Sequence, residues 1–372
     1  MKEVYINPIQ NLTNKIIIII GIVFILYVMK PFIVPLLISI ILSIMVFPIV
    51  QFLEKKLRFN RILSSLSVLF ILGIVICFLI WLISNQISNF VEKSDIYSNK
   101  LTQLYNQSFS YFETNFGIHK NQLVNQKDIK IETLIKDNIS KVGDFLSSST
   151  AILSDLFLIP LYMFFFLLYR KFFVYFIYKA FPKKNNHFLK IILDKLYQVQ
   201  KSYLNGLFTV MIIVGILNSI GLLLLGIENA IFFGFFASLL LLIPYIGIII
   251  GSLLPALVAI ATKDSAWYAV GVIAIFGFVQ FLEGNFITPK ITGSKVSVNS
   301  FIAIISLILF SMLWGTAGMI LALPITASLK IVFDNTPGLK AYGFLIGEPE
   351  EEFIQSKSST RLKYWKNRKQ NN

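Results

Sequence analysis

Charge is what this sequence has least of. Only 14% of its 372 residues are Asp, Glu, Lys or Arg, against 56% apolar. A soluble domain carries roughly 25% charged residues, so this chain cannot coat a globular surface, and it is far too greasy to be disordered. It has one cysteine, Cys77, set in an apolar block, so no intrachain disulfide can form. That position reads as a small packed side chain rather than a reactive thiol. The two histidines, His119 and His187, are far apart, and no Cys/His metal set can be built from them. No glycine loop is followed by Lys-Ser/Thr, so the chain does not drive transport with ATP itself. No Gly-x-Ser-x-Gly elbow and no His-Glu-x-x-His occurs, so neither an enzyme nor a cofactor is expected.

What is present is a series of long apolar blocks. The mean hydropathy is +0.75. Crossing a bilayer takes about 20 apolar residues in helix. Eight hydrophobic segments stand out: 16–29, 31–50, 62–83, 151–169, 206–226, 229–262, 267–286 and 301–333. The first reads as a retained span, since no small-residue cleavage site follows it. The fold class is therefore all-α and polytopic. Its organisation is spans one to three over 1–83, an extracytoplasmic helical segment over 84–150, span four with a cytoplasmic amphipathic helix over 151–205, a C-terminal transport region over 206–333 and a basic cytoplasmic tail over 334–372.

Net charge is +14, with Lys and Arg in short runs between the apolar blocks. A nucleic-acid partner would call for one continuous basic face, so none is expected. The runs mark cytoplasmic loops and contacts to anionic lipids. They place both termini on the cytoplasmic side of the cell membrane. The segment 84–150 shows helical periodicity at Ile87, Phe90, Val91 and Ser94, and again at Ile131, Leu134, Ile135 and Ile139, which suits a structural cap. Around Phe188, Ile191, Ile192 and Leu196, lysines frame an amphipathic helix expected over 183–201 at the inner surface.

Two blocks are too long for one crossing. Block 229–262 has 34 residues and would span about 51 Å as a straight helix, beyond the roughly 30 Å of hydrocarbon. Block 301–333 is nearly as long. Each has breakers at its centre, Pro244-Tyr245-Ile246-Gly247 and Trp314-Gly315-Thr316-Ala317-Gly318. Both read as re-entrant helical hairpins, entering and leaving on one side. Non-helical backbone at that depth is tolerated where protein or a wet cavity covers it, so the tips mark a binding region. Pro244, Tyr245 and Gly247 are the candidates at the first tip, and Gly315, Thr316 and Gly318 at the second. A plain kink at the first and small-residue packing at the second are the competing readings.

Polar side chains inside a membrane are costly and tend to be functional. Gln280 and Glu283 are i,i+3 neighbours on one helix face, with Asn285 close behind. Gly284 permits close backbone approach, and Pro289 is expected to end the helix. The carboxylate could coordinate a cation, carry a proton, or simply pair with Lys290 at the interface. Asn218 and Ser219 read as partners for a neighbouring helix. Asp155, Glu228 and Asp264 read as solvated, and Pro160 as a kink.

These stretches resemble the signatures of the autoinducer-2 exporter family of permeases. The matching residues are Pro244-Tyr245-Ile246-Gly247 with Gly251 and Pro255, Gln280-x-x-Glu283-Gly284-Asn285-x-x-x-Pro289-x-x-x-Gly293, Trp314-Gly315-x-x-Gly318 with Pro324, and Tyr203-x-Asn205-Gly206. The chain departs from the pattern at Tyr169-Arg170-Lys171, where an acidic residue is common, and at Leu207, where Gln is common. The resemblance implies a multi-pass inner-membrane carrier, a homopentamer with two hairpins and an elevator-like movement. It implies export of autoinducer-2 or, in other members, exchange of a monovalent cation for a proton. The leading expectation is a secondary transporter in which the two tips and Gln280, Glu283 and Asn285 enclose one small polar solute, with H⁺ or Na⁺ as coupling ion. A Na⁺(Li⁺)/H⁺ antiporter is the first rival, and a scaffold protein that carries nothing is the second.

Overall fold

The computed structural model describes residues 8–93, 150–182, 186–243, 246–293 and 298–349, with isolated positions between 96 and 114. The periodicity noted in 84–150 falls mostly outside these residues, as do the side chains of Phe90, Val91 and Asp155. Every regular element among them is helical. Helix α1 is Pro8–Val28, α2 Lys30–Lys56, α3 Arg61–Glu92, α4 Thr150–Leu168, α5 Arg170–Ala180 and α6 Asn186–Leu224. Then come α7 Ala230–Leu240, α8 Ile246–Thr262, α9 Trp267–Leu282, α10 Ser300–Trp314, α11 Thr316–Asp334 and α12 Lys340–Ile346. Five helices among the described residues are long and apolar enough to cross a membrane: Lys30–Lys56, Arg61–Asn89, Asn186–Leu224, Trp267–Ile291 and Thr316–Asp334. The broken pair of α4 and α5 makes a sixth if it counts as one.

The described chain forms two compact units. One comprises residues 38–170 and 206–291. In it, α2, α3 and α4 close on Val46, Val50, Val68, Met163 and Leu167. Ser39 Oγ donates to the Ile159 carbonyl at 3.0 Å. The ends of α2 and α4 are joined by Arg170 Nη2 and Glu54 Oε2 at 2.5 Å, with the guanidinium 5.2 Å over the Phe47 ring. So the Arg in the departure from the family pattern is an ion-pair partner. A second core joins α6 to α9 around Leu222, Phe233, Ala237, Ala259, Val272 and Phe276.

In that core α7 and α8 fold back on one another. Alanine and glycine let their backbones approach. A Cβ on Gly247 would collide with the Leu240 carbonyl, so this position tolerates nothing larger. Ser219 Oγ donates to Gly215 O at 2.7 Å and to Ile231 O, on the neighbouring helix, at 3.4 Å, as its sequence reading requires.

The other unit comprises residues 8–37, 171–205 and 292–349 among those described. Helices α10 and α11 pack as its hairpin. Gly315 turns the chain with φ of 69°, a left-handed conformation that favours glycine, and a Cβ on Gly318 would overlap the Phe310 carbonyl. Trp314 Nε1 donates to the Leu26 carbonyl in α1 at 3.0 Å. Gln200 Nε2 donates to the Pro324 carbonyl and to Ser328 Oγ, each at 2.7 Å. Asn299 caps α10 by accepting from the Ile302 N–H at 2.9 Å and donates to the carbonyls of Leu345 and Gly347, which fixes α12.

One expectation about the basic region needs correction. The lysine-framed stretch is not a separate surface helix: it is the first half of α6, a single 39-residue helix that runs on through Gly206. At 1.5 Å per residue it is about 58 Å long, so its lysine-rich end outreaches any bilayer. The piece with no buried residue is α5, where Phe172, Tyr175 and Phe176 are exposed among Arg170, Lys171 and Lys179.

Candidate functional site

The site is built at the end of α9. Helix geometry continues past Leu282, but in wider turns: Glu283–Ile287 and Pro289–Gly293 are both π-helical. The Thr288 N–H bonds back to the Glu283 carbonyl, five residues away. Pro289 therefore does not end the helix, contrary to the sequence expectation. A proline ring crowds the carbonyl four residues back in an α-helix, and a shift to i→i+5 pairing moves that carbonyl. Such π segments occur frequently at functional sites.

The wide turn changes which side chains meet. In an α-helix a residue five positions on lies roughly 140° round the axis, on another face. Here Thr288 sits beside Glu283, and its hydroxyl donates to Oε1. Gln280 Nε2 donates to Oε2 at 2.7 Å. Both carboxylate oxygens are thus held by side-chain donors of its own helix. No ion pair joins Glu283 to Lys290 among the described residues, so the interfacial pairing with that lysine does not form. Asn285 turns back to the Phe281 carbonyl at 2.9 Å and is exposed. Gly284 faces open space: a Cβ there would meet nothing within 4 Å, so close approach by another part of this chain is not its role.

Beside Gln280, the partner of the carboxylate, lies a small and mostly apolar cavity with room for about one water molecule, lined by Asn218 of α6, Leu241 and Gly247 at the first helix pair, and Phe276, Val279 and Gln280 of α9. Of the predicted residues, then, the fold brings Gly247, Gln280 and Glu283 into one neighbourhood. Pro244 and Tyr245 lie outside the described residues. Gly315, Thr316 and Gly318 form the break of the hairpin in the other unit, with Gly318 buried and Thr316 exposed.

Two residues escaped the sequence reading. Thr288 was invisible because helical spacing at 3.6 residues per turn puts it on the wrong face. Asn218 was expected to bond a neighbouring helix. It is 3% exposed, and its Oδ1 has no hydrogen-bond partner among the described residues. A polar residue in an apolar span was the signal available for it.

Long apolar helices with a carboxylate fastened inside one of them define a multi-span membrane protein. The chain belongs to the AI-2E family of transporters, whose model matches residues 16–338. It is 28% identical to the Bacillus subtilis protein described as "Putative transport protein YrrI", over 82% of this chain and 86% of that one. A Haemophilus influenzae protein of the same description is 25% identical over 86% of this chain and 91% of its own length. The Escherichia coli "AI-2 transport protein TqsA" is 27% identical over 38% of this chain and 41% of its own. Membrane transport is the function these relationships support, and the family read from the three motifs is borne out.

Proposed function

We propose that the protein is a secondary transporter that exports a small polar organic solute of the autoinducer-2 kind, by an elevator-like movement, as a homopentamer in the inner membrane with both termini cytoplasmic. The observation that carries this reading is Glu283, a carboxylate within an apolar helix whose two oxygens are both engaged by neighbouring side chains. A charge held in such surroundings is expensive and is retained for work. Glu283 couples a proton or cation to the solute. On this reading Gln280, Asn285 and Gly247, with the sequence candidates Pro244 and Tyr245, contribute solute contacts from the first break, and Gly315, Thr316 and Gly318 contribute them from the second. The name of the Escherichia coli relative supports the choice of solute. The exposed aromatic and basic side chains of α5 suit the headgroup region of an anionic leaflet.

The test is efflux of autoinducer-2 from proteoliposomes with wild-type protein and with Glu283→Gln, under imposed pH and Na⁺ gradients. The substitution is expected to reduce flux and flatten its pH dependence. Unchanged flux with unchanged pH dependence removes Glu283 from the mechanism. The second reading, exchange of Na⁺ or Li⁺ for H⁺, is favoured by the same carboxylate, and a cation-stimulated pH jump in vesicles without added solute identifies it.

A further inference from the structure

A second and larger cavity opens at the Glu92 end of α3, where its last turns pass the turn between α6 and α7. It shares no wall with the cavity beside Gln280. Its volume is about 450 Å³, within the roughly 300–1,000 Å³ that small organic ligands occupy. The floor is apolar: Ile227 and Ala230 are buried there, and the Phe232 ring, stacked on Phe236, forms one wall. The polar part of the lining is of one kind. Asn85, Gln86 and Asn89 come from α3, and Asn229 comes from the turn before α7. Asn85 and Asn89 are one helical turn apart on the same face.

These four carboxamides are almost uncommitted. The side chains of Asn85 and Asn229 make no hydrogen bond among the described residues, and Asn89 reaches the Gln86 Oε1 only at 3.4 Å. Asn229 stands at the N-cap of α7, where an asparagine ordinarily accepts from the first turn, yet its side chain does not. The amides of Ala230, Ile231 and Phe232 are left without that acceptor, on residues that line the cavity. No charged side chain is among the walls. Lys93 and Glu228, just beyond them in sequence, are paired with each other at 2.8 Å. An ion therefore finds no counter-charge, and a lipid chain would leave amides and carboxamides unpaired. A carboxamide donates and accepts at once, and so does a hydroxyl. An apolar floor with an aromatic wall suits the C–H face of a sugar ring. We propose that this cavity binds a neutral, hydroxyl-rich molecule of monosaccharide size, held by Asn85, Asn89 and Asn229. The site is separate from Glu283 and does not depend on the transport reading, since occupancy is measured at equilibrium without a gradient.

The experiment uses purified full-length protein in a polyoxyethylene detergent, because the sugar headgroup of a maltoside would compete for the cavity. The probe is D-glucose, followed by equilibrium dialysis of the radiolabelled sugar and by saturation-transfer NMR. Wild type is expected to bind glucose saturably at millimolar concentrations. Asn85→Leu combined with Asn89→Leu keeps the side-chain volume and removes every donor and acceptor, and is expected to weaken binding about tenfold or more. Asn229 has φ of 54°, so Asn229→Gly keeps the left-handed backbone without strain while removing the carboxamide. It is expected to weaken binding by about threefold or more, which decides the matter if the leucine variant does not fold. Glu283→Gln is expected to bind glucose like wild type. Absence of saturable binding in wild type, equal transfer from protein-free micelles, or undiminished binding in the folded variants overturns the site. Loss of glucose binding in Glu283→Gln places the sugar at the carboxylate instead and overturns it too.

Discussion

Replacing Glu54 while keeping Arg170 tests how the C-terminal ends of α2 and α4 are fastened. The two side chains are only 22% and 18% exposed, Arg170 and Glu54 respectively, and meet at 2.5 Å. The contact is single-pronged, since Glu54 Oε1 and Arg170 Nη1 are both buried without partners among the described residues. Breaking a buried pair from one side leaves an uncompensated charge and costs about 3–5 kcal/mol. The residual exposure and the Phe47 ring under the guanidinium relieve part of that, so Glu54→Leu is expected to destabilise by about 3 kcal/mol, or roughly a hundredfold in the unfolding equilibrium. Removing both charges is a different matter, because two desolvation penalties vanish with the attraction. Glu54→Leu with Arg170→Met is expected within about 1 kcal/mol of wild type. The assay is SDS-driven unfolding in mixed micelles, carried round the full double-mutant cycle. Single variants within about 0.5 kcal/mol of wild type, or a double variant as unstable as the sum of the singles, would refute the account.

Other outcomes follow from the same geometry. Thr288→Val removes a donor to a charged acceptor, worth about 1.5–3 kcal/mol, and is expected to lower solute flux by about tenfold or more, with Thr288→Ser restoring it; equal flux in all three proteins would show that the wide turn has no functional part. Gly318→Val forces a side chain into the Phe310 carbonyl and is expected to destabilise by about 1–3 kcal/mol in the same micelle assay.

Much of the fold could be read from block lengths alone. Eight apolar stretches and two central breaks anticipate α1 to α4, the second half of α6, both helix pairs and α9. The positions of Gly247 and Gly318 at tight contacts follow from the same reasoning, since a turn between packed helices needs small residues. The misreadings share a cause. Helical periodicity is a local average, and it cannot report a change of helix type or the point at which a surface helix continues into a span. Gly206 therefore looked like a boundary, although α6 passes through it, and Pro289 looked like a stop, although the π turns carry the chain to Gly293. Asn218 differs for another reason. Its sequence neighbours indicate that it is buried, but only the fold reveals that its Oδ1 meets no donor among the described residues.

The indole of Trp314 has a consequence for the N-terminal helix. The carbonyl it engages, that of Leu26, belongs to the last turn of α1, where helical carbonyls run out of amides to receive. Trp314 thus finishes a helix nearly three hundred residues distant in the chain. Parting the two would cost the indole N–H and the Leu26 carbonyl each other, so a shortened chain lacking α1 is expected to loosen the turn between α10 and α11 before it loses any span.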